Sequence, residues 1–394
     1  MGRILFALMV AQASLPVLAA DWSALDRSQQ TISRADFERL VTTLYSPSGA
    51  LTNYLAYDKD SVLIYSSPGK SNAPLYTLRF ATGSVNRRPT PVRCIVLDPG
   101  HIGGEWARME ERFFVRGADR PVQEAVLNLT VARLLKPQLE AAGLTVLLTK
   151  DDFLPVTDKR PEDFRAEAEA FVSKWARLNT FPPLERVAAM ADSVRKRQEL
   201  LFYRNAEIAS RARKVNDDLK PDLTVCLHFN AVEWNEHFEL VDDNRLLLYV
   251  HGHYLDNEIT GDDDRLRLFT KLLERSHETE LAVADSIADA LSRATGLPPV
   301  RASGAFGLAL GKNPAVYARN LAANRLINGP VVYLEPYYMN NRTVYQRIQL
   351  GDYDGVKEID NVKYRSLYRE YADAVAEGLL RFVKATAPVK TAAQ

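Results

Sequence analysis

The sequence predicts an α/β fold: a mostly parallel or mixed twisted sheet flanked by helices, preceded by a small α+β module. Three observations lead there. Short continuous apolar runs, at Ile95, Val96 and Leu97, at Leu223–Leu227 and at Val331–Leu334, have the length of strands buried on both faces. Longer segments with apolar residues at helical spacing separate them, and strands alternating with helices argue for a largely parallel sheet. Turn chemistry and ionisable residues follow the strands directly, as in Asp98-Pro99-Gly100-His101, and open α/β sheets place their sites at carboxyl strand ends.

The chain has 394 residues, enough for more than one domain with a sizeable core. Lysines and arginines balance aspartates and glutamates at 50 each, so no electrostatic grip on nucleic acid or an acidic membrane is expected. The two cysteines, Cys94 and Cys226, fall in expected core strands and read as buried free thiols, with one disulfide between them as the alternative. Residues 1–20 read as a signal peptide: Arg3 gives a positive start, an apolar stretch begins at Ile4, and small residues follow Leu18. The stretch is too short and interrupted to make a stable membrane span. The mature protein is therefore expected to be exported, to the periplasm or cell envelope.

In chain order, residues 21–83 form the small N-terminal α+β module. Ser33 and Asp36 cap a helix carrying Phe37, Leu40, Val41 and Leu44, and strand-like runs follow at 61–65 and 75–80. Residues 84–92, rich in arginine and proline, read as a linker. From residue 93 to 385 the strand–helix alternation continues as one domain. Glu124 opens a helix with Leu127, Val131, Leu135 and Leu139 on one face, ended by Gly143 in the left-handed position. A strand at 144–148 follows. Residues 153–203 form a charged helical insertion, too long for an ordinary connection. It is read as a lid or a docking surface for a regulatory protein, against the plainer alternative of a helical pair remote from the site. Strands at Leu223–Leu227 and 246–250, a long helix at 266–294, the strand Val331–Leu334 and a terminal helix at 364–383 complete the domain. Residues 386–394 read as a flexible tail.

Four ionisable residues share one topological address. His101 and His228 follow two core strands, Glu335 follows a third, and Glu124 starts the helix after the first turn. Two imidazoles and a carboxylate suit a hydrolytic zinc ion with a position left for water. A further carboxylate off the metal is what such a site needs to take that water's proton. Each residue alone has a plainer reading: a hydrogen-bonded histidine at a strand end, or a cap. Asp98 reads as structural, bonding turn amides. His251 and His253, alternate residues at the end of another strand, could also face one metal, but no third ligand is apparent beside them.

Asp98-Pro99-Gly100-His101, Glu124 before Leu127-Asn128-Leu129, Leu227-His228-Phe229-Asn230 and Leu334-Glu335 together resemble the zinc-dependent N-acetylmuramoyl-L-alanine amidases of the Amidase_3 type. The resemblance covers roughly residues 93–383. It implies Zn2+ as cofactor, with His101, Glu124 and His228 as metal ligands and Glu335 as the general base. It implies peptidoglycan as substrate and hydrolysis of the bond between N-acetylmuramic acid and L-alanine. The chain departs from the family in placing Ile102 where glycine is usual and Lys150 where an arginine ends a strand. Glu105, Glu110 and Glu111 lie nearer His101 than Glu124 does; the apolar helix after Glu124 favours it as the ligand. The rival functions are a zinc peptidase acting on other cell-wall amides and a non-catalytic cell-wall-binding regulatory protein.

Overall fold

The computed structural model describes residues 20–83, 91–176, 183–301 and 306–387. The expected signal peptide except its last residue, most of the linker and the end of the tail lie outside the described residues, as do 177–182 within the insertion. No helix among the described residues is long and apolar enough to cross a membrane.

The first strands are β1 (Leu55–Tyr57), β2 (Ser61–Ile64) and β3 (Tyr76–Arg79), which pair antiparallel in that order. Ahead of them Ser33 caps the helix Arg34–Leu40, its hydroxyl accepting from the Asp36 N–H, as the sequence suggested. The following strands are β4 (Cys94–Pro99), β5 (Phe113–Phe114), β6 (Val122–Gln123), β7 (Thr145–Leu148), β8 (Leu223–Leu227) and β9 (Leu248–Val250). Then come β10 (Leu308–Ala309), β11 (Val316–Ala318), β12 (Val331–Leu334), β13 (Val356–Ile359) and β14 (Val362–Arg365).

Seven of these strands form the central sheet in the order β10-β11-β9-β12-β8-β4-β7. It is mixed: β12, β8, β4 and β7 run parallel, while β9 pairs antiparallel with β12. Alternate residues divide between its faces. Ile95, Leu97, Val225, Leu227, Val332 and Leu334 join one core with the helices Glu124–Ala141, Ser276–Thr295 and Leu367–Thr386. Val96, Cys226 and Val331 face the opposite way, against Ala212, Val215, Ala323 and Ile327. Both faces are covered, which is why these strands read as continuous apolar runs. The last two helices cross so closely that a Cβ on Gly378 would stand 2.6 Å from the Ile287 Cα.

The N-terminal strands and helix share that first core. Phe37 stacks on Phe269 at 5.8 Å between ring centroids, and the carbonyls of Leu44 and Tyr45 accept from the N–H groups of His253 and Tyr254. His251 and His253, the alternative metal pair, thus stand at this seam. His251 is buried with its Nε2 2.8 Å from the Tyr254 hydroxyl.

Four elements differ from expectation. The long helix is two, Asp262–Glu274 and Ser276–Thr295, broken where Arg275 adopts φ 57°. The terminal helix begins at Leu367, because residues before it pair as the β13–β14 hairpin, turning at Asp360 and Asn361 with φ 49° and 63°. The strand expected from 246 runs regularly only from Leu248, Leu246 making an isolated bridge to Pro299. Both cysteines are free thiols, but Cys94, at the strand's first position, is only half-buried.

Candidate metal centre

Strands β4, β8 and β12 are parallel neighbours in register, with Pro99 opposite Leu227 and Leu227 opposite Leu334. Their carboxyl ends therefore deliver Gly100, His228 and Glu335 at one level of one sheet edge. Gly100 has a steric reason to be glycine: a Cβ there would run into the His228 imidazole. The Gly100 N–H donates to the Leu227 carbonyl, and Asn128 donates to the Gly100 carbonyl at 3.1 Å. His101 comes next with φ 65°, a left-handed conformation disfavoured for a side-chain-bearing residue and held by several contacts. The Lys150 ammonium donates to the His101 carbonyl, and Glu110 Oε2 accepts from the Ile102 N–H at 3.1 Å.

Glu124, 2% exposed, joins the two histidines. Its Oε2 lies 3.2 Å from His101 Nε2 and its Oε1 lies 3.0 Å from His228 Nδ1. Oε1 also accepts from the Phe229 N–H at 3.2 Å. One ligand atom from each of His101, Glu124 and His228 can be chosen so that all lie within 4.8 Å of one another. Among the described residues this is the group of histidine and carboxylate side chains that could hold a metal ion. The buried His228 Nε2 has no hydrogen-bond partner among the described residues, which leaves that nitrogen available to a metal. Two nitrogens and a carboxylate oxygen are also the donor set of hydrolytic zinc. The residues fit the ion.

Electrostatics separate the ionisable groups. Burial alone would drive His101 neutral, but Glu124 and Glu110 outweigh it and raise its pKa to about 9. His228 goes the other way: burial lowers it to about 4 despite its hydrogen bond to Glu124. Burial likewise opposes the Glu124 charge, yet the two histidines hold that carboxyl well below the usual range. Glu335 is partly open to solvent; lost hydration, then the Glu124 charge, push its pKa up to about 7, against the pull of Arg112 and His101. Its backbone is fixed by donation from the Glu335 N–H to the Leu247 carbonyl.

Two neighbours were not assigned roles from the sequence. Glu110, weighed there only as another possible ligand, lies on the far nitrogen of His101, with 2.8 Å between its Oε2 and Nδ1. That is the outer-sphere carboxylate that fixes an imidazole's tautomer and direction. Arg112 brings its Nε to 3.2 Å from Glu124 Oε2. Nothing in linear spacing marks either residue; the β5–β6 hairpin folds this segment back over the site. Asp98 is fully buried but does not bond turn amides: it accepts from Thr149 Oγ1 at 2.6 Å and pairs with Arg211 at 3.1 Å. Thus Arg211 meets the buried carboxylate while Lys150 holds the His101 turn. Ile102 is fully buried. The insertion packs nearby, with Phe202 5.1 Å from Trp106 between ring centroids.

No protein-family model matches the chain. No curated protein matches it. Among solved structures it is similar to the CwlD amidase from Clostridioides difficile in complex with the GerS lipoprotein, at 15% identity, covering 74% of this chain and 99% of that one, with a TM-score of 0.43. It is also similar to the apo N-acetylmuramyl-L-alanine amidase Ami1 from Mycobacterium abscessus, at 16% identity, 74% and 98% coverage and a TM-score of 0.38. A third similar structure is the catalytic domain of CwlV, an N-acetylmuramoyl-L-alanine amidase from Bacillus (Paenibacillus) polymyxa var. colistinus, at 15% identity, 74% and 98% coverage and a TM-score of 0.38.

Proposed function

We propose that this protein is an exported zinc hydrolase that cleaves the amide between N-acetylmuramic acid and L-alanine in peptidoglycan. The observation that carries the reading is the convergence of His101, Glu124 and His228, with Glu335 beside them at the end of the neighbouring parallel strand. The resemblance of their sequence contexts to zinc amidases directs the choice of substrate. His101, Glu124 and His228 would hold the ion. Bound there, zinc supplies Lewis-acid chemistry, polarising a carbonyl and making water acidic enough to attack near neutral pH.

The chain's own residues do the rest. Glu335 takes the proton of the attacking water and delivers it to the departing amine. Burial raises the Glu335 pKa above the ordinary carboxylate range, the direction that suits a group that must both take up and give back a proton near neutral pH. Glu110 keeps His101 aimed, and the Tyr333 ring, stacked 4.2 Å from the His228 ring, restrains the second imidazole. Residues 93–385 are the proposed catalytic domain, and removal of residues 1–20 on export would place it in the periplasm or cell envelope, where peptidoglycan lies. The packing of Phe202 on Trp106 puts one end of the insertion near the His101 turn; its proposed role is a lid or a docking surface for a regulatory protein.

The test is digestion of purified peptidoglycan followed by identification of the new chain ends. An amidase releases intact stem peptides with a free L-alanine amine and leaves lactyl carboxylates on the sugar. New ends within the stem peptide would instead make it a peptidase. Glu335→Gln is expected to lower turnover by at least a hundredfold while zinc content stays at wild-type level. Retained turnover in that variant removes Glu335 from the mechanism.

A further inference from the structure

Residues 106–112 touch two of the three residues of the metal centre. Glu110 reaches His101 Nδ1 and the Ile102 N–H, and the Arg112 carbonyl accepts from the Glu124 N–H at 3.2 Å. Little within the segment holds it in place. Its helix, Trp106–Met109, has four residues, and a helix that short is not stable by itself in water. The Glu110 and Arg112 N–H groups donate to the Trp106 and Ala107 carbonyls at 3.2 and 3.0 Å, so Glu110 stands where this turn stands. Whatever seats the turn therefore sets the direction of Glu110.

The seat is the base of the insertion. The Phe202 ring, fully buried, lies 5.1 Å from the Trp106 ring with 47° between planes. The Arg160 guanidinium lies 5.7 Å from the same Trp106 ring, within cation–π range. Arg160 and Phe202 come from near opposite ends of the insertion and are tied together through Thr157. Its carbonyl accepts from Arg160 Nη1 at 3.2 Å, and its N–H donates at 3.0 Å to Glu207 Oε2, five residues past Phe202. Phe202 and Glu207 share the π-helical segment Leu201–Glu207, a wider turn of the kind found mostly at functional sites. Among the described residues, neither Trp106 nor Phe202 belongs to the apolar clusters packed on the central sheet. Their contact holds the turn to the insertion, apart from the general core.

Resting on the reading of His101, Glu124 and His228 as a metal centre, we infer that Trp106 and Phe202 are positioning residues for it. The base of the insertion braces the 106–112 turn, the turn aims Glu110, and Glu110 aims the His101 imidazole. Metal affinity then depends on an aromatic contact in which neither partner is a ligand.

The test uses the full-length protein. Zinc affinity is read by competition with a chromophoric chelator, and ligand geometry by the visible absorption of the cobalt(II)-loaded protein. Trp106→Ala and Phe202→Ala are each expected to weaken zinc binding roughly tenfold, the low end of the scale for an outer-sphere partner, and to shift the cobalt bands. Trp106→Phe should restore both. In a Glu110→Ala background Trp106→Ala should cost nothing further, because the effect passes through Glu110. Phe269→Ala, a buried substitution at the N-terminal seam, is the control: it lowers stability and leaves the zinc affinity of the folded protein unchanged. Circular dichroism confirms that each variant folds. Should Trp106→Ala unfold, Arg160→Ala at an exposed residue decides, with an expected loss of about threefold, the scale of one cation–π contact, again absent without Glu110. Wild-type zinc affinity and cobalt bands in the deciding variant overturn the brace, as does an equal loss with and without Glu110. A wild-type protein that binds no zinc overturns the metal reading instead. The brace is then read in metal-free protein labelled with 15N-histidine. There the His101 Nδ1–H signal, protected by Glu110, should be present in wild type and lost to exchange in the deciding variant; its persistence in that variant overturns the brace.

Discussion

Burial opposes a charge on His101, but the carboxylates of Glu124 and Glu110 prevail and hold its pKa at about 9. At neutral pH this imidazole is therefore protonated in the metal-free protein, whereas His228, lowered to about 4, is neutral. A metal must displace the His101 proton, so zinc binding at pH 7 should release about one proton and tighten as pH rises towards 9. Calorimetry in two buffers of different ionisation heat reads that number directly; a heat independent of buffer would contradict it. The same shifts set the pH dependence of stability without metal. The His101 contribution is full below its unfolded value near 6.5 and disappears as pH rises through 9. His228, whose folded pKa is depressed, withdraws stability as pH falls from about 6.5 towards 4, because the unfolded chain then binds the proton more readily. Melting temperatures of chelator-treated protein across pH 4–10 test both directions. Glu110 acts through His101, and Glu110→Ala should weaken zinc binding roughly 10–100-fold, the usual scale for an outer-sphere partner. Unchanged zinc affinity would leave Glu110 with a merely structural part.

At the scale of elements, the end of β4 is the critical join. The Gly100 N–H is held by the Leu227 carbonyl, so the turn cannot retreat from the imidazole beside it without loosening the sheet edge. Gly100→Ala should leave the far-ultraviolet spectrum intact while lowering zinc affinity by about tenfold or more, since displaced ligands and displaced outer partners have comparable costs. Wild-type affinity in that variant would mean that the turn yields freely. This join was legible in the sequence, because β4, β8 and β12 are covered on both faces and announce themselves as unbroken apolar runs followed by turn residues. Other elements left no such trace. β10 and β11 are two and three residues long at one side of the sheet, too short to establish a period. The helix break at Arg275 lacks the glycine that normally signals one, and Arg275 Nε instead donates to Glu278 at 2.6 Å across the break. The Asp360-Asn361 turn carried a readable hairpin signal, two residues tolerant of left-handed backbone between short strands, which helical spacing further on obscured. Glu110 and Arg112 were hidden for a different reason: their place depends on the fold of the β5–β6 hairpin, not on any spacing along the chain.

For the whole molecule, the question is whether the N-terminal strands and helix fold as an appendage or as part of the sheet's core. Phe269, on the helix Asp262–Glu274, is fully buried between them, stacking on Phe37 with 11° between planes and meeting Trp22 at 6.3 Å. Arg265 of the same helix is buried too, its guanidinium 4.2 Å from the Tyr54 ring and donating to the Ser66 carbonyl at 3.1 Å. These contacts, with the pairing of His253 and Tyr254 N–H groups to Leu44 and Tyr45, make one continuous apolar interior. Removal of a buried aromatic from such a place costs about 3–5 kcal/mol, from lost burial plus the cavity left behind. Phe269→Ala should therefore lower global stability by that amount, and residues 34–45 should lose hydrogen-exchange protection together with residues 262–274. Coupling is the decisive outcome. If the N-terminal segment exchanges rapidly in Phe269→Ala while the central sheet keeps wild-type protection, the two are separable units and the shared interior is a contact between domains; if protection falls throughout in one step, the metal centre's scaffold and the N-terminal module are a single cooperative fold.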